Sequence, residues 1–143
     1  PEGVALRLDL ARALEGVAAE WEETGTAPGR RRLDPARMLR EVGDVVLARR
    51  DFGTSYHLSV VVDDAAQGIT HVTRGEDLAE ATPVHVLLQR LLGLPTPVYH
   101  HHRLIRDEAG RRLAKREDAR AIRRFRAEGA TPADLRRMVG LAE

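Results

Sequence analysis

An α/β fold is what this chain of 143 residues predicts, and three stretches carry that expectation. Tyr56 to Val62 is an apolar, β-branched run bounded by turn residues, which reads as a strand. After a polar connection from Asp63 to Gly68, Ile69 to Thr73 reads as the next strand, and it ends in Arg74-Gly75-Glu76-Asp77. Thr82-Pro83 then opens a helix, with Thr as N-cap and Pro at the first helical position. Its Val84, Leu87, Leu88, Leu91 and Leu92 form one apolar stripe before Gly93 and Pro95 stop it. Apolar strands that deliver polar residues to one rim are where open α/β sheets bind ligands.

The remaining elements follow in order. Val4, Leu6, Leu8 and Leu10 alternate as in a strand, and a helical stripe from Leu10 to Trp21 overlaps them, so a strand and then a short helix are expected. Val17, Ala19 and Trp21 also alternate and offer a second strand. Thr24 to Leu33, rich in Gly, Pro and Arg, reads as a loop; its Arg30-Arg31-Arg32 suits either phosphates or a solvated turn. Pro35 to Val42 fits one or two helical turns, Asp44 to Arg49 a short strand, and Asp51 to Thr54 a turn. Val98 to His101 is a short strand, and Asp107 to Glu117 a basic loop. A helix opens near Asp118, runs through Phe125 and closes at Gly129. Thr131-Pro132-Ala133-Asp134 repeats the Thr-Pro helix start, with Leu135, Met138 and Val139 on a buried face. Strand, strand, helix, strand, loop, helix, helix is the order of part of an α/β sheet.

Composition narrows the class. The length suits one domain with a single core. Aromatic residues make up 3% of the chain, so Leu, Val and Ala must build that core. A net charge of +1 gives no whole-protein attraction to nucleic acid. All but one of the 23 basic residues are Arg, as a GC-rich genome would favour; the exception is Lys115, a compact ammonium that Arg does not replace. The absence of Cys excludes a disulfide scaffold or thiolate zinc site within these residues. No run reaches membrane-spanning length and no secretory signal is visible, so a cytoplasmic location is expected. The chain opens on Pro1 rather than Met, as a processed product or a piece of a longer chain would.

Four constellations have chemical potential. Arg74, at a ligand rim, suits a carboxylate bound through two parallel hydrogen bonds, and Gly75 would let backbone approach a ligand; a plain strand-to-helix turn with surface charges fits the spacing equally well. Tyr56, paired with Arg74, would face a small zwitterion, or it packs on the sheet edge. His100, His101 and His102 are adjacent, and neighbours on a strand point to opposite faces, so no metal is expected there and one His lining a nucleotide pocket is favoured. Gly110-Arg111-Arg112-Leu113-Ala114-Lys115-Arg116 is a basic loop suited to a polyphosphate, or a solvated basic turn. No Walker-type loop, dinucleotide glycine fingerprint, Gly-x-Ser-x-Gly elbow or zinc-protease helix is present.

Taken together, Tyr56-His57-Leu58-Ser59-Val60-Val61-Val62-Asp63-Asp64, Gly68-Ile69-Thr70, Arg74-Gly75-Glu76-Asp77-Leu78, Thr82-Pro83 and the basic loop resemble a known family. They look like the second half of the catalytic domain of class I glutamyl-type aminoacyl-tRNA synthetases, nearest to the short glutamyl-queuosine tRNA(Asp) branch. The resemblance covers most of the chain, best from about Gly43 to Leu141. It implies a partial Rossmann-like nucleotide-binding fold in one catalytic domain. Residues 1–43 would be a middle segment, 44–106 the second half of the sheet, and 107–143 the phosphate loop and C-terminal helices.

The resemblance also implies roles. Tyr56 and Arg74 match the family's glutamate-binding Tyr and Arg; whether Arg74 takes the side-chain or the α-carboxylate stays open. Arg112-Leu113-Ala114-Lys115-Arg116 matches the Lys-Leu-Ser-Lys-Arg/Gln loop that holds ATP phosphates, with Arg112 for the first Lys and Ala114 for the Ser. Lys115 would be catalytic, stabilising the leaving pyrophosphate. Gly75, Glu76, Arg112, Leu113, Lys115 and Arg116 would bind ATP, and His101 matches a His of the strand before that loop. ATP with Mg would be a substrate. The partners would be glutamate and a tRNA, with tRNA(Asp) queuosine as acceptor, and the intact protein would be a monomer.

No His-Ile-Gly-His-type signature occurs, and the chain is short for the whole domain, so the resemblance implies a C-terminal half that is inactive alone. Any zinc would belong to the missing N-terminal part. A piece of an ordinary glutamyl-tRNA synthetase is one alternative, though nothing like an anticodon-binding domain follows the last helices. A non-catalytic nucleotide- or RNA-binding module is another.

Overall fold

The computed structural model describes residues 4–50, 53–106, 110 and 121–141. They fall into two compact units divided after Arg103. The first unit runs β1 (Leu6–Leu8), α1 (Leu10–Ala13), β2 (Glu20–Glu23), β3 (Gly29–Arg32), α2 (Pro35–Glu41), β4 (Val45–Arg49), β5 (Gly53–Thr54), α3 (Tyr56–Ala66), β6 (His71–Gly75), a 3-10 turn (Glu76–Ala81), α4 (Thr82–Leu92) and β7 (Val98–His102). β1, β4 and β5 form an antiparallel sheet in that order. The second sheet has the order β3-β2-β7-β6, with β2, β7 and β6 parallel and β3 an antiparallel edge. Among the described residues no helix is long and apolar enough to cross a membrane.

The structure overturns the strand expected over Tyr56 to Val62: those residues open helix α3. Three local facts favour the helix. Ser55 is an N-cap whose Oγ accepts the Leu58 N–H. Leu58, Val61 and Ala65, at i, i+3 and i+7, turn inward while Tyr56, Val62, Asp63 and Ala66 are exposed, a helical spacing rather than strict alternation. The run continues into Asp63-Asp64-Ala65-Ala66 without a breaker. Three consecutive Val cost at most about 0.7 kcal/mol each in a helix. Burying Val61 alone returns about 1.5–3 kcal/mol, so packing outweighs propensity.

Other expectations shift with it. Arg30, Arg31 and Arg32 lie on β3, not in a loop. β3 pairs with β2 in register Glu20↔Arg32, Trp21↔Arg31, Glu22↔Arg30 and Glu23↔Gly29. Arg32 Nε reaches Glu20 at 2.6 Å across the pair, and the exposed charges blunt this sheet edge. Ile69 and Thr70 precede the strand, which spans His71–Gly75. Gly53 and Thr54 form the short strand β5 rather than a turn, while Asp51 and Phe52 lie outside the described residues. Thr82 is the first residue of α4, not its cap. The 3-10 turn runs straight into the helix, with Ala81 at the cap position, which frees the Thr82 hydroxyl for other work. Gly93 closes α4 with φ 66°, the left-handed conformation that favours glycine at a helix end.

Leu10, Leu14, Met38, Val45, Val61, Val84, Leu87 and Leu88 form the core. They come from α1, α2, β4, α3 and α4, so one face of α4 is the hub of the apolar packing. Its other buried face carries Thr82, His85 and Gln89, at i, i+3 and i+7, toward β6 and β7.

In the second unit, α5 spans Ile122–Ala127 and α6 spans Pro132–Met138. Thr131 and Asp134 form a capping box at the start of α6. Leu135 and Val139 are half-buried, but Met138 is 64% exposed, against the expectation that all three share a buried face. The helix expected to open near Asp118 begins at Ile122; Asp118 lies outside the described residues.

Gly25 sits where β2 meets β7. Thr24 and Thr26 N–H groups donate to the carbonyls of Tyr99 and His101 at 2.9 and 2.8 Å. A Cβ on Gly25 would lie 2.1 Å from the His101 carbonyl oxygen, a backbone atom that cannot swing aside. Gly25→Ala is expected to destabilise the fold by at least about 2 kcal/mol, as overpacking against backbone does. An unchanged urea midpoint in that variant would refute the close approach.

Candidate active site

The parallel pairing gathers three polar side chains at the carboxyl ends of three strands. Glu23 is the last residue of β2, Arg74 the penultimate residue of β6, and His101 the penultimate residue of β7. Arg74 pairs in register with His101, which directs both side chains to one face, toward α4.

Arg74 is half-buried and held from three sides. Its Nε–H donates to His101 Nε2 at 3.0 Å. Its Nη1 donates to His85 Nδ1 at 3.1 Å, and its Nη2 to Thr82 Oγ1 at 2.8 Å. The guanidinium also lies over the Tyr99 ring, 5.2 Å from its centroid, a cation–π contact. Tyr99 stacks on His101, and its hydroxyl accepts from Gln89 Nε2 at 3.1 Å. Among the described residues, three of the five guanidinium N–H groups are thus committed to protein, leaving one on each terminal nitrogen.

A guanidinium can only donate, and this settles the polarity of its neighbours. His101 Nε2 must present a lone pair, so its hydrogen sits on Nδ1, which donates to Glu23 Oε2 at 2.5 Å. Glu23 Oε1 accepts the backbone N–H groups of His101 and Gly25 at 3.0 and 2.8 Å. Burial alone would push the Glu23 carboxyl up, but these hydrogen bonds, from the His101 backbone first, hold it below the ordinary carboxylate value. On the other side His85 Nδ1 is an acceptor, so His85 Nε2–H donates to His57 Nδ1 at 3.0 Å. Burial, and then the positive charge of Arg74, push the His85 imidazole down to about 3 and lower His57 as well. Asp64 is shifted the other way: burial raises its carboxyl, and the nearby Arg74 offsets part of that.

The network runs between two clefts. Tyr56 and His57 line one of 490 Å³, with Ser55, Thr54 and Val84. Glu23, Thr82 and His101 form part of the wall of another of 320 Å³, with Arg31 and Arg37. Among the described residues no group of three His, Asp or Glu side chains is placed to hold a metal ion.

The residues singled out from sequence fall as follows. Tyr56 and Arg74 flank the same imidazole: the Tyr56 ring is 5.7 Å from the His85 ring, and Tyr56 is 52% exposed. Gly75 and Glu76 stand at the turn after Arg74, but Gly75 has φ −68° and ψ 148°, an extended backbone open to any residue. His100 and His102 point away from His101, to Thr24 Oγ1 and the Arg103 carbonyl. Arg112, Leu113, Ala114, Lys115 and Arg116 lie outside the described residues. Glu23, His57, Thr82, His85, Gln89 and Tyr99 were given no place in the site by the sequence reading. The signal for three of them was present: Thr82, His85 and Gln89 are polar residues at helical spacing beside an apolar stripe, a helix buried on two faces.

The folded protein refuses protons that the unfolded chain accepts on His85 and His57. Stability is therefore expected to fall as pH drops from 6.5 toward about 3. His85 contributes up to about 1.4 kcal/mol per pH unit in that window. Glu23 adds loss of the same sign below 4.5, because its folded carboxyl titrates under its unfolded value. Urea midpoints taken at neutral pH and near pH 5 should drop less in His85→Gln than in the unsubstituted protein; parallel drops would count against a neutral His85.

Comparison with known proteins gives the family of the chain. The family model described as "tRNA synthetases class I (E and Q), catalytic domain" matches residues 34–142. A glutamyl-Q tRNA(Asp) synthetase of Rhodobacter capsulatus is 68% identical over 137 residues, which is 95% of this chain and 48% of that protein. Proteins of the same name from Leptothrix cholodnii and Xanthomonas axonopodis pv. citri are 46% and 58% identical, over 80% and 57% of this chain and 37% and 27% of theirs. The chain therefore spans about half the length, or less, of these relatives. Among solved structures, the glutamate-tRNA synthetase of Elizabethkingia anophelis superposes with TM-score 0.56 at 29% identity, covering 70% of this chain and 19% of that one. A glutamate tRNA ligase of Elizabethkingia meningosepticum in complex with its amino acid gives 0.52 at 26% identity, covering 82% and 20%. The half-buried arginine and its histidines stand in a chain that belongs to the class I tRNA synthetases of the E and Q type, within their catalytic domain.

Proposed function

We propose that this chain is part of a catalytic domain that activates glutamate with ATP and passes it to tRNA, with the queuosine base in the anticodon of tRNA(Asp) as acceptor. The observation that carries this reading is Arg74. It is a half-buried guanidinium at the carboxyl ends of parallel strands, braced by imidazoles, with one N–H on each terminal nitrogen not taken by the described residues. That is a ready partner for one carboxylate of an amino acid, where charge-assisted hydrogen bonds are strongest. The names of the similar proteins supply the amino acid and the acceptor.

In this reading residues 44–106 hold the amino-acid end of the site and residues 107–143 bring the phosphate loop. Arg74 anchors a glutamate carboxylate, and Tyr56 orients the substrate from the first turn of α3. The glutamate α-carboxylate attacks the α-phosphorus of ATP, the bond to the bridging oxygen breaks, and pyrophosphate leaves; Mg would enter with ATP as part of the substrate. Lys115, with Arg112 and Arg116, takes up the charge that grows on that leaving group, while Leu113, Gly75 and Glu76 contact the nucleotide. Such catalysis is positioning and electrostatics rather than covalent chemistry by the protein. The tRNA nucleoside then displaces AMP from the adenylate. The reaction takes place in the cytoplasm, where its substrates are.

Arg74→Ala in the natural protein carrying this sequence should lower kcat/KM for glutamate-dependent ATP–pyrophosphate exchange by about a hundredfold, the loss of about 3 kcal/mol from a charged hydrogen-bonded contact. Lys115→Ala should instead lower kcat with little change in the KM for glutamate. Near-normal exchange in Arg74→Ala would remove the basis of this reading. Labelled glutamate should enter tRNA(Asp) that carries queuosine and not the same tRNA with unmodified guanosine. Charging of tRNA(Glu) at its 3′ end would assign the ordinary glutamyl-tRNA synthetase activity instead.

A further inference from the structure

Arg74 can be held as observed only while His101 keeps its hydrogen on Nδ1. A neutral imidazole has one N–H, and the Arg74 Nε–H occupies the Nε2 lone pair. What selects that tautomer is Glu23. Both residues are almost completely buried, at 7% and 2% exposure. A carboxylate only accepts, so Glu23 Oε2 beside Nδ1 leaves the ring no other assignment. The opposite carboxylate oxygen is occupied by two backbone donors and cannot turn away without orphaning them.

We propose that Glu23 is a positioning residue of the amino-acid site. By accepting the Nδ1–H of His101 it keeps Nε2 as the acceptor that orients Arg74 toward a substrate carboxylate. This deepens the reading above and rests on Arg74 as the anchor of the amino acid. Glu23 does not touch the substrate; it acts through one ring and one guanidinium. Its negative charge also balances Arg74 across the imidazole without a direct contact to the guanidinium. Thr82 fits the same polarity: its hydroxyl oxygen accepts from Arg74 Nη2, and it lies 3.2 Å from His101 Nε2, within reach to donate there.

Glu23→Gln tests this with no change of shape. The amide oxygen would take the two backbone N–H groups, and the NH2 would then face His101 Nδ1. Either two donors meet there, or the ring moves its hydrogen to Nε2 and meets the Arg74 Nε–H. Flipping the amide sets its NH2 against the backbone donors. Every arrangement leaves one donor facing another between nearly buried groups, and the side chain with most freedom to move is the half-buried Arg74.

In the natural protein labelled with 15N, the histidine ring spectrum should give His101 a protonated Nδ1 and an unprotonated Nε2. Glu23→Gln should reverse the two or broaden them. That variant should raise the KM for glutamate about tenfold or more, with kcat changed less and the KM for ATP unmoved. In an Arg74→Ala background the Glu23→Gln penalty should vanish, which a merely structural loss would not do. A protonated Nε2 on His101 in the unsubstituted protein would overturn the proposal, and this needs neither substrate nor variant, so it decides even if Glu23→Gln fails to fold. A glutamate KM within twofold in Glu23→Gln would overturn it too. If the unsubstituted protein showed the expected tautomer but no glutamate-dependent exchange, the assignment of the amino-acid site would fall, and with it the ligand proposed here.

Discussion

A guanidinium cannot accept a hydrogen bond or give up its proton, and half-burying one constrains everything around it. Arg74 meets only atoms that can present lone pairs: His101 Nε2, His85 Nδ1 and the Thr82 hydroxyl. The two imidazoles then have their own hydrogens directed outward, from His101 to Glu23 on one side and from His85 to His57 on the other. The site is a polarised chain built outward from one cation. Leaving a buried donor or charge unpaired costs a few kcal/mol, which is why such a network is either complete or absent.

The network holds its shape because α4 is anchored elsewhere. Val84, Leu87 and Leu88 lock one face of the helix into the Leu, Val and Met core, with Leu87 fully buried. Thr82, His85 and Gln89 are then carried to fixed positions over β6 and β7. A rigid helix places these groups more accurately than a loop would. The parallel register of β6 and β7 does the rest by setting Arg74 beside His101. Packing and chemistry are two faces of one element, so a core substitution facing α3 would be felt at the arginine.

Neutral histidines are a consequence of this arrangement with functional weight. Burial and the Arg74 charge keep His85 and His57 unprotonated at physiological pH, so the local field comes from Arg74. An anionic ligand meets one well-defined cation instead of a diffuse positive cluster. Glu23 meets that cation only through His101, and none of the hydrogen bonds that Arg74 makes among the described residues goes to a carboxylate.

Much of this was legible in the residues, and the misses have a common cause. The stop of α4 at Gly93, strand β7, and the Thr131 start of α6 could all be read because each depends on neighbours within a turn or two. Of the expected α4 stripe, Val84, Leu87 and Leu88 are buried, but Leu91 and Leu92 are 43% and 49% exposed, because the core ends before the last turn of the helix. The rim position of Arg74 and the family resemblance came from ordered local motifs. Tyr56 to Val62 was misread because a short β-branched run fits a strand as well as a buried helix until its packing partner is known. Glu23 was invisible because its role is defined by His101, 78 residues away. The sequence by itself determined which segments could bury apolar faces, and that one arginine would stand at a strand end. Only the tertiary structure decided which distant acceptors would meet it, since the polarity of a buried hydrogen-bond chain belongs to the packed arrangement and to no single stretch of residues.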